Sequence, residues 1–465
     1  MNSSPSAAAL AQKSATADLF NQSALSELAQ RLVEAAKRAG ADASDAVAVR
    51  GVSQGVEVRD GRVEESEHSE GDDVGLRVLV GRRQAVVSTN DISGDGIAKL
   101  AERAVAMARV APDDKYVGLA DPALFARDFP DLDLLDRTVP STSELERRAR
   151  EAEAAALAVK GVTKSGGASA STGIGGMVLV TSTGFHGSYL RSSQGISVTA
   201  ISGEGTGMER DYDFTSAPHA ADLASPDSVG RKAGERAVAR TNPRKVETCK
   251  VPVVFDPRVS GSIVGHLVGA ANGASIARKT SFLKDRLGEQ LFAKNIRIID
   301  DPLRLRGLRS QAFDAEGVRT KRLAIIDEGV LTTWLMDSAT ARELGMATTG
   351  HAHRGVSSAP SPGPYNLHLE AGEPTPAELM SDIKQGFYIT DLIGSGVNGV
   401  TGDYSRGASG FWIENGEITY PVSEVTIAGH LLPMFKSLVA ANDLEFRYGI
   451  NAPTLRIEGL TLGGR

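Results

Sequence analysis

Apolar residues recur at helical spacing first over 23–40, where Leu25, Leu28, Leu32, Val33 and Ala36 make one stripe. Ser23 is available there as a cap and Gly40 as a stop. The pattern then turns to alternation in short runs at 46–52, 56–60, 74–80 and 84–88, separated by glycine-containing turns, which predicts an antiparallel meander. Helical spacing returns over 97–111. It returns again after Ser141, where Glu144 completes a capping-box pattern for a helix running to 159. Between these helices, 120–140 breaks into a connection rich in Pro and Asp. Two strands within 176–203 and a helix over 227–240, stopped before Pro243, complete a half in which helix and strand mix.

From residue 251 the texture changes. A buried strand, VPVVFDP, leads into a Gly/Ala-rich helix, and many short strands follow with glycine turns between them. Asn415-Gly416, between FWIE and EITYP, is the clearest hairpin signal, because this pair accepts the positive φ values that a two-residue turn requires. The expected fold class is therefore α+β: a tail over 1–22, a mixed α/β domain with an antiparallel sheet over 23–245, and a mainly antiparallel β domain over 246–465. A chain of 465 residues has room for two or three domains at about 150 residues each.

Composition narrows the function classes. Hydrophobic residues at 41% and charged residues at 23% describe an ordinary folded chain, whereas 50 glycines imply many tight turns and close backbone contacts. The net charge of −7 and the lack of a Lys/Arg block argue against nucleic acid as a partner. No stretch has the sustained apolarity of a membrane span, and the first twenty residues do not follow the secretory pattern. The single cysteine, Cys249, rules out an internal disulfide and a cysteine-based zinc site, which suits a cytoplasmic location.

Several motifs invite chemistry. Gly51-x-Ser53-x-Gly55 has the outline of a hydrolase nucleophile elbow, but the charged run after it is not a helix, so a hairpin loop is expected. Gly394, Gly396 and Gly399 fit GxGxxG after an apolar strand. No helix opens behind them to face a pyrophosphate, and close approach of backbone to a partner or an extended peptide is the better functional reading. His351 and His353 are spaced to share one face of a strand, with His266 or His368 as candidates for a third metal ligand, but no carboxylate stands beside them in a metal-binding pattern, so surface or hydrogen-bonded histidines are the expected reading. On the helix over 259–273, His266 shares a face of small residues with Ser262, Gly269 and Gly273, where something can come close.

Four C-terminal blocks, VPVVFDPRVSGSIVGHL (251–267), IIDEGVLTTWLMDSATARELG (325–345), GVSSAPSPGPYNLHLEAG (355–372) and TGDYSRGASGFWIENGEITYPVSEVTIAGHL (401–431), together resemble the TldD/PmbA family, also called modulators of DNA gyrase. Its PmbA (TldE) branch is the closest match. The resemblance extends from residue 24 to the end and includes VEVRDGRVEESE (56–67). It implies a zinc metallopeptidase system, a TldD/TldE heterodimer that degrades or trims unfolded peptides. In the TldD branch the helix after the VVFDP-like strand carries HExxxH, and a C-terminal cysteine completes the metal site.

Here those positions hold Gly261, Ser262 and His266, and EFRYGINAPTL (445–455) has no cysteine. A catalytic zinc needs three protein ligands, an open water position and a base to take the water's proton, and a lone imidazole supplies neither set. The resemblance thus implies a subunit without cofactor, partnered by a TldD-like HExxxH chain that carries the zinc. Peptide contacts are expected at His351, His353, Gly394, Gly396, Gly399 and Gly407, within a close-backbone wall formed by 394–399 and 402–410. Two other readings stay open: a self-sufficient metal-dependent peptidase using His351 and His353, and a homodimeric peptide-binding or chaperone-like protein.

Overall fold

The computed structural model describes residues 21–465; most of the tail expected over 1–22, and the leader question with it, lie outside the described residues. Helix α1 (Ser23–Ala39) buries the stripe seen in the sequence. Its N-cap is Gln22 rather than Ser23. At its other end Gly40 takes φ 98°, and the N–H groups of Gly40 and Ala41 donate to Lys37 and Ala36, the pairing of a left-handed helix stop.

Strands β1 (Ala43–Arg59), β2 (Arg62–Val80), β3 (Arg83–Thr89), β4 (Val162–Thr181), β5 (His186–Ser202) and β6 (Glu209–Ala217) form one antiparallel sheet in the order β3-β2-β1-β4-β5-β6. The sequence breaks expected at 51–55 and between 60 and 74 are thus corrected. Gly51 lies mid-strand, opposite Gly71 of β2 and Gly175 of β4, so Gly51-x-Ser53-x-Gly55 is neither an elbow nor a hairpin loop. Pairing on both sides satisfies the backbone whatever the side chain, so glycines do not end a central strand. The real turn is Asp60-Gly61, where both residues have positive φ.

Helices α1 and α2 (Gly94–Val110) cover Ala46, Ala48, Leu76 and Val178, while α3 (Thr142–Leu157) and α4 (Pro226–Ala239) cover Val56, Val58, Ala170 and Val198. On β1 these are all even positions, so both helix pairs lie on one face of the sheet. Ser141 caps α3 by accepting from the Glu144 N–H. The other face carries Val47, Met177 and Leu179, which pack with Phe185 and with Phe313 from the C-terminal half. The Phe185 and Phe313 rings meet edge-on at 5.1 Å.

In the C-terminal half, β7 (Cys249–Phe255), β8 (Gln385–Ile393), β9 (Asp403–Glu414), β10 (Glu417–His430) and β11 (Leu455–Gly463) run in the order β10-β9-β8-β7-β11. β11 also pairs with β10 at Thr426–Ala428, which closes a small barrel. All ladders are antiparallel except that between β7 and β8. The Asn415-Gly416 hairpin forms as expected, with φ 50° and 85°. A second sheet of short strands includes Ile298–Asp300, Leu323–Asp327, Leu367–Leu369 and Ile450–Asn451. Helix α5 (Pro257–Ala270) leaves β7 and buries Ile263, Val264, Leu267 and Val268 between barrel and sheet. Among the described residues, no helix is long and apolar enough to cross a membrane.

Candidate functional site

The apolar stripe of α5 fixes how the helix rolls, so Gly265, His266 and Gly269 turn toward the loop after β8; Ser262 and Gly273, expected on the same face, do not line it, and Gly273 opens the next short helix. A pocket of about 400 Å³ opens there, lined by Gly265, His266, Gly269, Gly394, Gly399 and Arg406 among others. Two features singled out separately in the sequence, the α5 histidine and the GxGxxG loop, thus meet. The element after the loop is β9 and not a helix.

The loop is held by its own backbone: the Ser405 N–H donates to the Gly396 carbonyl at 2.7 Å, and the Asn398 N–H to that of Asp403 at 2.9 Å. A Cβ on Gly396 would lie 2.2 Å from the Ser405 carbonyl oxygen, so only glycine lets the loop sit this close to β9. Gly407 does not join the site. It is paired with Ile393 of β8 and Thr426 of β10, as is most of 402–410 with its neighbours, so that backbone is consumed by the barrel wall and presents no free edge.

The three positions of the altered motif play different parts. Gly261 faces the second sheet, and a Cβ there would stand 2.9 Å from the Ile450 carbonyl oxygen. The Ser262 hydroxyl donates to Val259 O at 2.6 Å within its own helix. His266 packs its ring edge-on against Tyr404 at 5.8 Å, and its Nε2 is buried without a partner. Burial, helped by the positive charge of Arg406, lowers its pKa to about 4. Burial likewise pushes the Tyr404 phenol up. This donor set does not fit a zinc ion: one imidazole faces the pocket, the neighbouring hydroxyl is spent, and the Arg406 guanidinium that lines the same pocket repels a cation.

His351 and His353 form a different environment. His351 is fully buried, with Nδ1 2.8 Å from the Thr349 carbonyl oxygen and Nε2 3.4 Å from Asp300. His353 sits in the two-residue strand Ala352–His353, and both rings lie against buried Tyr365, at 5.3 and 4.5 Å. Burial and the neighbouring His351 lower the His353 pKa to about 4. His368 packs on Phe446 instead, at 5.0 Å. Among the described residues, no three His, Cys, Asp or Glu side chains converge to hold a metal, so the ligand set of His351, His353 and His266 or His368 is not assembled. The strand holds only Ala352 and His353, so the two histidines do not share a strand face, and both rings are occupied by Tyr365.

Beside these histidines lies a buried ionic cluster that sequence reasoning missed. Asp45 of β1 takes Arg77 of β2 at 2.7 Å and also binds Arg354, while Arg77 reaches Glu316 at 4.0 Å. Burial alone would raise the Asp45 carboxyl, but Arg354 and Arg77 reverse this and hold it below its ordinary range. Asp314 is pushed the other way by burial and the charge of Glu316. The available signal was a charge standing in an apolar run: Asp45 before AVAV, and Arg77 within GLRVLV. A groove of about 630 Å³ runs between this cluster's Arg354 and the helix-free face of the first sheet, floored by Gly51, Gly71, Gly173 and Gly175.

Comparison with known proteins agrees with this architecture over nearly the whole chain. Models of the PmbA/TldA metallopeptidase family match as domain 1 at 44–108, the central domain at 136–241 and the C-terminal domain at 248–464. Metalloprotease PmbA of Escherichia coli O157:H7 is 39% identical over 412 residues, 88% of this chain and 90% of that one. A PmbA homolog of Haemophilus influenzae is 39% identical over 93% of this chain and 94% of its own. A Bacteroides thetaiotaomicron protein solved as a proposed modulator of DNA gyrase superposes with a TM-score of 0.87 at 27% identity, covering 94% of this chain and 98% of that one. TldE from Thermococcus kodakarensis shares the fold, with a TM-score of 0.84 at 18% identity over 94% of this chain and 100% of its own.

Proposed function

The chain belongs to the PmbA/TldD family of metallopeptidases, and on that premise we propose that it is the non-hydrolytic subunit of a cytoplasmic peptidase, working with a related chain that bears HExxxH. One observation carries the reading: where that motif would place a ligand, a base and a second ligand, α5 has Gly261, Ser262 and His266, with Arg406 facing the last of them.

The chain's own contribution is to bind and position an unfolded peptide. Two features support this. The glycine-floored groove on the first sheet gives an extended main chain room to lie close, and Gly394 and Gly399 do the same at the pocket. The partner supplies the zinc and the attacking water.

Reconstitution tests it. This chain, the HExxxH chain and their mixture are assayed on one unstructured peptide, with zinc measured in each. Hydrolysis by the mixture well above either chain alone, and a stable complex on size exclusion, is the expected result. Stoichiometric zinc and unaided hydrolysis by this chain would overturn it, as would a homodimer that binds peptide but ignores the HExxxH chain.

A further inference from the structure

Three polar groups around the α5 pocket lack hydrogen-bond partners among the described residues while buried: His266 Nε2, Arg406 Nε and, behind His266, the Tyr404 hydroxyl. Arg406 makes one weak hydrogen bond, from Nη2 to Leu392 O at 3.3 Å, and no carboxylate among the described residues lies within ion-pair distance of it. Leaving such groups unsatisfied is costly unless something fills the space. All three can donate; Arg406 can only donate. The rest of the lining is small or apolar, with Gly265, Gly269 and Gly399 beside Phe282, Val397 and Leu431.

We infer that this pocket binds a carboxylate, and that its physiological bearer is the free C-terminus of a peptide. Planar carboxylate matches a guanidinium in two parallel N–H···O bonds. One guanidinium beside a histidine that is neutral at physiological pH balances a single negative charge, which favours a carboxylate over a doubly charged phosphate. The glycines let a main chain approach, and Phe282, Val397 and Leu431 offer an apolar wall to the last side chain. The peptide as bearer rests on the function proposed above; the carboxylate site itself does not. In this reading the surface that fails as a zinc site is an anchor of opposite charge preference, which would fix the register of a substrate relative to the partner's metal.

The test uses the full chain and two kinds of probe. N-acetyl-leucine and its amide report on the pocket alone; a labelled unstructured peptide with a free C-terminus, its C-terminal amide, and the amide carrying an internal Glu report on the bearer. The free acids are expected to bind about tenfold or more tighter than the amides. Arg406→Gln should abolish that preference without changing the melting temperature, and Arg406→Lys should restore part of it. If acid and amide bind equally, or if Arg406→Gln keeps the preference, the site is overturned while peptide binding elsewhere stands. If N-acetyl-leucine shows the Arg406-dependent preference but no peptide binds, the carboxylate site holds and the peptide reading fails. An internal Glu that rescues the amide would move the bearer from the C-terminus to an acidic side chain, which overturns the bearer stated here.

Discussion

His266 and His353 each have an Nε2 buried without a partner and a pKa lowered to about 4, yet they sit in regions built for different ends. Around His353 the neighbours are a packed joint: Tyr365 and His351 are fully buried, Asp300 is close by, and the Asp45–Arg77–Arg354 cluster ties the first sheet to the C-terminal half. Around His266 the space is open, and the facing cation has no acidic partner among the described residues. The same residue type, shifted in the same direction by the same desolvation, belongs to a structural joint in one place and to a candidate binding pocket in the other. What separates them is the pocket beside His266 and the charges that face each ring, which no histidine spacing encodes.

The sharpest way to break that contrast is to remove one charge from each region. Arg77→Met leaves Asp45 and Glu316 short of a counter-charge in a dry interior and should cost about 3–5 kcal/mol of stability in denaturant unfolding. Arg406→Met, which removes a guanidinium with no carboxylate partner among the described residues, should cost less than about 1 kcal/mol. Equal losses would erase the distinction.

A smaller effect concerns acid. The folded-state pKa of His353 lies below its ordinary 6.5, so between about 6.5 and about 4 the unfolded chain takes up the proton first and this residue subtracts stability as the pH falls. The raised carboxyl of Asp314 acts with the opposite sign: its contribution is present at low pH and is lost as pH rises through its folded value. His353→Asn leaves that opposing contribution in place, so the variant should lose less stability than the parent between pH 7 and pH 5. Parallel losses in the two proteins would show that His353 does not titrate as its surroundings require.

The smallest expected change lies outside both regions. Asn415→Ala keeps the hairpin but puts a Cβ-bearing residue without a turn-forming side chain at φ 50°, at a cost of about 1 kcal/mol. A loss as large as that of Arg77→Met would mean that the β9–β10 hairpin, not the interdomain cluster, dominates stability.

Much of the local structure was legible in the chain. The α1 stripe, the Ser141 cap, the VPVVFDP strand and the Asn415-Gly416 turn rest on interactions within a few residues, so short-range rules suffice for them. The motif substitutions at Gly261 and Ser262 were likewise visible, because the resemblance assigned those positions a job that glycine and serine cannot do. Other features were hidden. Gly51 reads as a turn until strands 20 and more than 120 residues away pair with it on both sides. That His351 and His353 both lie against Tyr365 could not be read from their spacing.

The sequence by itself determined the elements, the class of fold and the altered chemistry of one helix, because periodicity and residue type act through the backbone nearby. Tertiary structure alone decided that Arg354 meets Asp45 across 309 positions, and that residues 265–269, 394–399 and 406 share one pocket. Burial and strand pairing made those choices, and both depend on which surfaces the whole chain can bring together at once.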